Sequence, residues 1–182
     1  LRFVFCLKYC TYSFMPINQI IQVNDKMQSG YKYSLSEQTG KNFAMDFKPF
    51  YTPAEMLSMG IFEGKYCNDC KDEFPKSWFQ NAKLSHVPEI DINYFKIKSR
   101  QSLSLWKEKG WIYGPDPRGW FQWYCRYYFG RRLPDIDVLQ IKRWRAFSRH
   151  AGQIKANCQP GDTSCRPRQR QALLQWSHNP LI

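Results

Sequence analysis

Asp116-Pro-Arg-Gly-Trp-Phe-Gln-Trp-Tyr-Cys-Arg-Tyr-Tyr-Phe-Gly130 is the stretch on which the fold turns. Asp116 in the capping position, Pro117 at the first helical position and Gly130 as a stop delimit a helix from Pro117 to about Phe129. At about 100° per residue, Trp120, Phe121, Trp123, Tyr124, Tyr127 and Tyr128 fill one broad face. Arg118, Gln122 and Arg126 recur every fourth residue on the opposite face. A helix written this way buries rings and shows cations to solvent. It predicts a mainly α, compact helical domain with an aromatic core and a basic exterior.

The flanking sequence repeats the pattern. Downstream, Pro134 with Asp135 and Asp137 opens a helix predicted to run unbroken to about Asn157. Trp144, Phe147, Ala151, Ile154 and Cys158 form its apolar stripe, and Lys142, Arg145 and Arg149 lie opposite. A last helix is expected over Pro167–Ser177, with Ala172, Leu173 and Trp176 inward and Arg168 and Arg170 outward. Upstream, Thr52-Pro-Ala-Glu55 carries a capping box and Gly60 a stop, and short helices are also predicted over Lys76–Leu84 and Ser102–Lys109. Residues 1–50 read as an irregular N-terminal arm, with Tyr31, Tyr33 and Leu35 alternating as in a short β-hairpin, and residues 51–182 as the helical basic domain. Residues 1–14 lack the apolar run and small-residue cleavage site of a secretory signal, and read as an upstream extension or fragment edge before Met15. No strand–helix alternation or glycine fingerprint points to an α/β nucleotide fold.

Charge identifies the expected partner. The net charge is +12, and between Arg118 and Arg170 twelve cations face only Asp135, Asp137 and Asp162, so this stretch holds +9 of it. Such a field suits a polyanion, and nucleic acid, DNA or RNA, is the expected one. Arg118, Arg126, Arg131, Arg132, Lys142, Arg145, Arg149, Arg168 and Arg170 are the candidate phosphate ligands. Trp111 and Tyr113, in a Gly/Pro loop, are the candidate stacking platforms, and Gln122 is the best placed side chain to read a base edge. Many cations and few such amides predict low sequence specificity.

Other chemistry is thinner. Cys67-x2-Cys70 with Cys158 and Cys165 could form a four-sulfur zinc site, Cys67 and Cys70 could pair with His86, or Cys158 and Cys165 could form a disulfide. Cys125 reads as core. His150, or the acidic loop Asp69, Asp72 and Glu73, would supply catalytic groups if the chain were an enzyme acting on nucleic acid, and a viral or ribonucleoprotein assembly component is a third class. The acidic loop reads more simply as an answer to the basic half. Seven cysteines, an odd number, and no secretory leader lead to the expectation of an intracellular protein, cytoplasmic, nucleoid or nuclear. No apolar run approaches the roughly 18 residues of a membrane helix.

Overall fold

The computed structural model describes residues 18–182. The reading of residues 1–14 and Met15, with Cys6 and Cys10, lies outside them. Strands β1 (Ile20–Asn24) and β2 (Ser29–Ser34) form an antiparallel hairpin, followed by helices α1 (Pro53–Met59), α2 (Leu103–Glu108), α3 (Trp120–Phe129), α4 (Pro134–Phe147), α5 (Arg149–Asn157) and α6 (Pro167–Gln175). The mainly helical fold, its aromatic core and the hairpin are as the sequence predicts. None of the described helices is long and apolar enough to cross a membrane.

Local signals account for most boundaries. Thr52 Oγ1 accepts the Glu55 amide at 3.2 Å and the Glu55 carboxylate accepts the Thr52 amide at 2.7 Å, closing the capping box of α1. Ser102 caps α2 by accepting the Leu105 amide. Three boundaries differ. The helix expected from Pro117 starts at Trp120, because Asp116-Pro-Arg-Gly119 makes a turn (Gly119 amide to Asp116 carbonyl, 2.9 Å) and the Asp116 side chain is occupied elsewhere. The long helix from Pro134 breaks at Ser148, whose hydroxyl donates to the Arg145 carbonyl at 2.7 Å. Lys76–Leu84 makes only a 3-10 turn at Lys76–Phe79. It lacks a side-chain cap, and the Lys83 amide is drawn to the Leu57 carbonyl.

The core is built around α3, which buries every residue but Tyr128. Phe47, from the segment expected to be an arm, is its hub: it meets Trp123, Tyr124, Tyr127 and Trp144 edge-on at 5.0–5.8 Å. Such pairs are worth about 0.5–1.5 kcal/mol each beyond burial. Val23, Tyr33 and Leu35 join the same cluster. Strand alternation aims Val23 and Tyr33 inward, whereas Ile20 at the start of β1 is exposed.

The end of α3 ties this segment down. The Gly130 carbonyl accepts the amides of Ser36 and Glu37, and the Tyr128 carbonyl accepts that of Gly40. Gly130 has φ +126°, and a Cβ there would run into the Glu37 carbonyl.

Candidate nucleic-acid interface

The arginines divide into two groups. Arg118, Arg126 and Arg131 are buried, which overturns the exposed face expected for Arg118 and Arg126 and takes Arg131 away from the surface where a phosphate ligand would stand. The Arg118 guanidinium grips both Asp25 oxygens (2.9 and 3.0 Å) and reaches Asp69 at 2.9 Å. Arg126, with no exposed surface, bonds Glu73 at 2.5 and 3.0 Å, Asp116 at 2.9 Å and the Gln28 side-chain carbonyl. Arg131 closes on Asp116 with two bonds of 2.7 and 2.9 Å. Asp116 therefore bridges two guanidinium groups. Burial works to raise the Asp25 carboxyl, but Arg118 and the amides of Met27 and Gln28 hold it below the usual carboxylate value. Burial, then the neighbouring Glu73 carboxylate, drives the Tyr33 hydroxyl well above its ordinary value, and that hydroxyl donates to Glu73.

Other assignments also move inside. Gln122 is buried and its carbonyl accepts the Arg118 amide, so it reads no base. Arg170 is buried, with its guanidinium on the carbonyls of Asp162, Cys165, Pro180 and Ile182. Arg132 is half-buried, lies 3.9 Å over the Tyr127 ring and donates to main-chain carbonyls, so it too is largely spent on structure. Every-fourth-residue spacing cannot distinguish a solvated face from one covered by carboxylates remote in sequence.

Lys142, Arg145, Arg149 and Arg168 are exposed. Arg145 meets only half-exposed Asp46, at 2.8 Å. Trp111 is 41% exposed, and Tyr113 is half-buried. The structure brings Trp111, Tyr113 and Arg149 to one cavity of about 410 Å³, together with Arg100, Trp106 and Arg143. The Arg143 guanidinium lies 5.0 Å over Tyr113 and 5.5 Å over Trp176, and burial pulls it below the usual arginine value. Among the described residues its one side-chain hydrogen bond goes to the uncharged Gln140. Neither Arg143 nor Arg149 pairs with a carboxylate among the described residues, and no Asp or Glu lines the cavity. Arg100 does have a partner, Glu63 at 2.7 Å. A second cavity of about 340 Å³ shares Arg100 and Trp106 with the first.

The rings carry a further distinction. Five of the seven Trp pack against another aromatic, such as Trp176 on Phe147 at 4.1 Å and on Trp120 at 4.7 Å. Trp106, Trp111 and Tyr113 have no such ring partner among the described residues, and all three line the larger cavity. Gly119, with φ +84°, lets the chain pass close to Trp106: a Cβ there would press on Ile112 at 3.3 Å and Trp106 at 3.4 Å. Arg143, Arg100 and Trp106 carried no assignment in the sequence. The one signal for Arg143 was its position on the flank of the α4 apolar stripe, beside Trp144.

The four-sulfur zinc site is not formed. Cys158 and Cys165 are joined in a disulfide, whereas Cys67, Cys70 and Cys125 are free and buried. Among the described residues no group of three or more His, Cys, Asp and Glu is arranged to hold a metal, and this includes Cys67 and Cys70 with His86. Thiol–thiol hydrogen bonding and burial hold Cys67 and Cys70 well above the ordinary thiol value, which leaves them unreactive near neutrality. The candidate catalytic groups do not converge. His150 lies outside both cavities against Phe147, Asp69 and Glu73 are engaged by Arg118 and Arg126, and Asp72 is exposed. The acidic loop thus answers the basic half, its simpler reading.

Comparison with protein-family models, curated proteins and solved structures yields no match.

Proposed function

We propose that this chain binds nucleic acid, DNA or RNA, with little dependence on base order. The observation that carries the reading is the meeting, in one acid-free cavity, of rings that no other described ring covers and of two guanidinium groups without a carboxylate, with Lys142 and Arg145 exposed on the helix that forms its wall. Stacking on such rings contributes about 1–3 kcal/mol per base without reading sequence, and the cations follow the backbone. With Gln122 buried, the main candidate for base reading is gone, which favours the unspecific mode.

The test is binding of single-stranded, double-stranded and structured oligonucleotides across a salt series. Single strands are expected to bind best. Replacing Arg145 and Arg149 together by Ala should lower the logarithmic salt slope for a single strand by about 1.4, at about 0.7 per phosphate contact. A flat salt response, or no binding at low salt, overturns the proposal.

A further inference from the structure

We propose that the larger cavity is a pocket for one nucleotide unit, taking the base on Trp106, Trp111 and Tyr113 and the phosphate on Arg143 and Arg149. This rests on the reading above and narrows it: the strand would be held by a single splayed or terminal nucleotide, and a free nucleoside monophosphate carries the same chemistry.

Three observations converge. First, among the described residues the three rings are the cavity-lining aromatics that no other ring covers, in a chain that otherwise pairs its tryptophans. A planar heteroaromatic group supplies the missing contact. Second, Arg143 is half-buried with no carboxylate, although every guanidinium of the sealed network has one. A partly desolvated cation of this kind selects an anion, and a guanidinium fork fits phosphate. Third, at about 410 Å³ the cavity has the size of a small-ligand pocket. A paired and stacked base cannot enter without leaving its helix, so the pocket selects single strands and ends by shape.

The experiment titrates the full chain with adenosine 5′-monophosphate, adenosine and inorganic phosphate, following tryptophan fluorescence, and then asks whether the monophosphate displaces a labelled single-stranded 10-mer. Saturable binding of the monophosphate is expected, at least ten-fold tighter than adenosine or phosphate alone, with displacement of the 10-mer. Arg143→Gln should weaken it ten-fold or more. Arg149→Gln, at an exposed position where folding is not at stake, should weaken it several-fold. Equal binding of adenosine and its monophosphate overturns the phosphate clamp, and equal binding of phosphate and the monophosphate overturns the base platform. A 10-mer bound in a salt-dependent way but untouched by the monophosphate overturns the pocket and leaves nucleic-acid binding standing. Binding of the monophosphate with no binding of the 10-mer supports the pocket and ends the broader reading. Persistence of tight binding in both variants also overturns the proposal.

Discussion

Two sets of arginines in this molecule do opposite things with the same side chain. Arg118, Arg126 and Arg131 are enclosed with Asp25, Asp69, Glu73 and Asp116, and their charge is consumed inside the fold. Arg143 and Arg149 reach a cavity without an acid, and their charge is available. What separates the sets is the company the chain brings to them: Asp25, Asp69 and Glu73 come to the first set from 49 to 93 residues away, and Asp116 from the turn just before α3. Net charge counts both sets alike, so the basic character of Arg118–Arg170 overstates the surface that can meet a polyanion.

The comparison is broken most directly at Asp116. Asp116→Ala leaves Arg126 short of a partner and Arg131 without its only carboxylate, and should cost about 3–5 kcal/mol in urea unfolding. Gly130→Ala comes next, at about 1–3 kcal/mol, since alanine disfavours φ +126° and its methyl meets the Glu37 carbonyl.

Acid should reach the core histidine before it reaches the sealed arginine network. Burial holds the His178 ring, stacked on Trp144, below the usual histidine value of about 6.5. The unfolded chain therefore takes up that proton first, and stability should fall as the pH drops below about 6.5. Asp25 has a depressed folded value, so its contribution is fully present above the usual carboxylate range and is lost progressively as the pH falls from that range through the lower folded value. Melting temperatures between pH 7 and pH 3 should therefore fall in two stages, and His178→Phe, which keeps a ring against Trp144, should remove much of the first. The smallest effect is expected at Arg145, whose pair with Asp46 is half in water: Arg145→Ala should change stability by no more than about 1 kcal/mol.

Helices with a cap, a proline and a glycine stop were legible in the sequence, and so was the aromatic character of the core, because both are local. Thr52, Ser102 and Pro134 act where they stand. Asp116 misled because an Asp-Pro pair marks a helix start by statistics, whereas here the carboxylate serves two arginines beyond it. Arg118, Gln122 and Arg126 misled for a related reason: their periodicity was right and the solvent assigned to that face was not there. Loop context alone singles out Trp111 and Tyr113, which line one cavity, whereas Arg143 beside them is not legible in the sequence, since Tyr113 and Arg143 meet only in three dimensions.

The distances along the chain between the sealed partners have a consequence for how the protein is made. Asp25 and Glu73 leave the ribosome before Arg118 and Arg126, with separations of 93 and 53 residues. At about 5–20 residues per second, Glu73 waits roughly 3–10 s for its guanidinium. During that interval the amino-terminal half holds carboxylates and ring faces with nothing to close on, and loop closure must be achieved before those contacts reward it. The nascent chain should stay sensitive to protease until α3 and Arg131 have emerged, and then become resistant in a single late step.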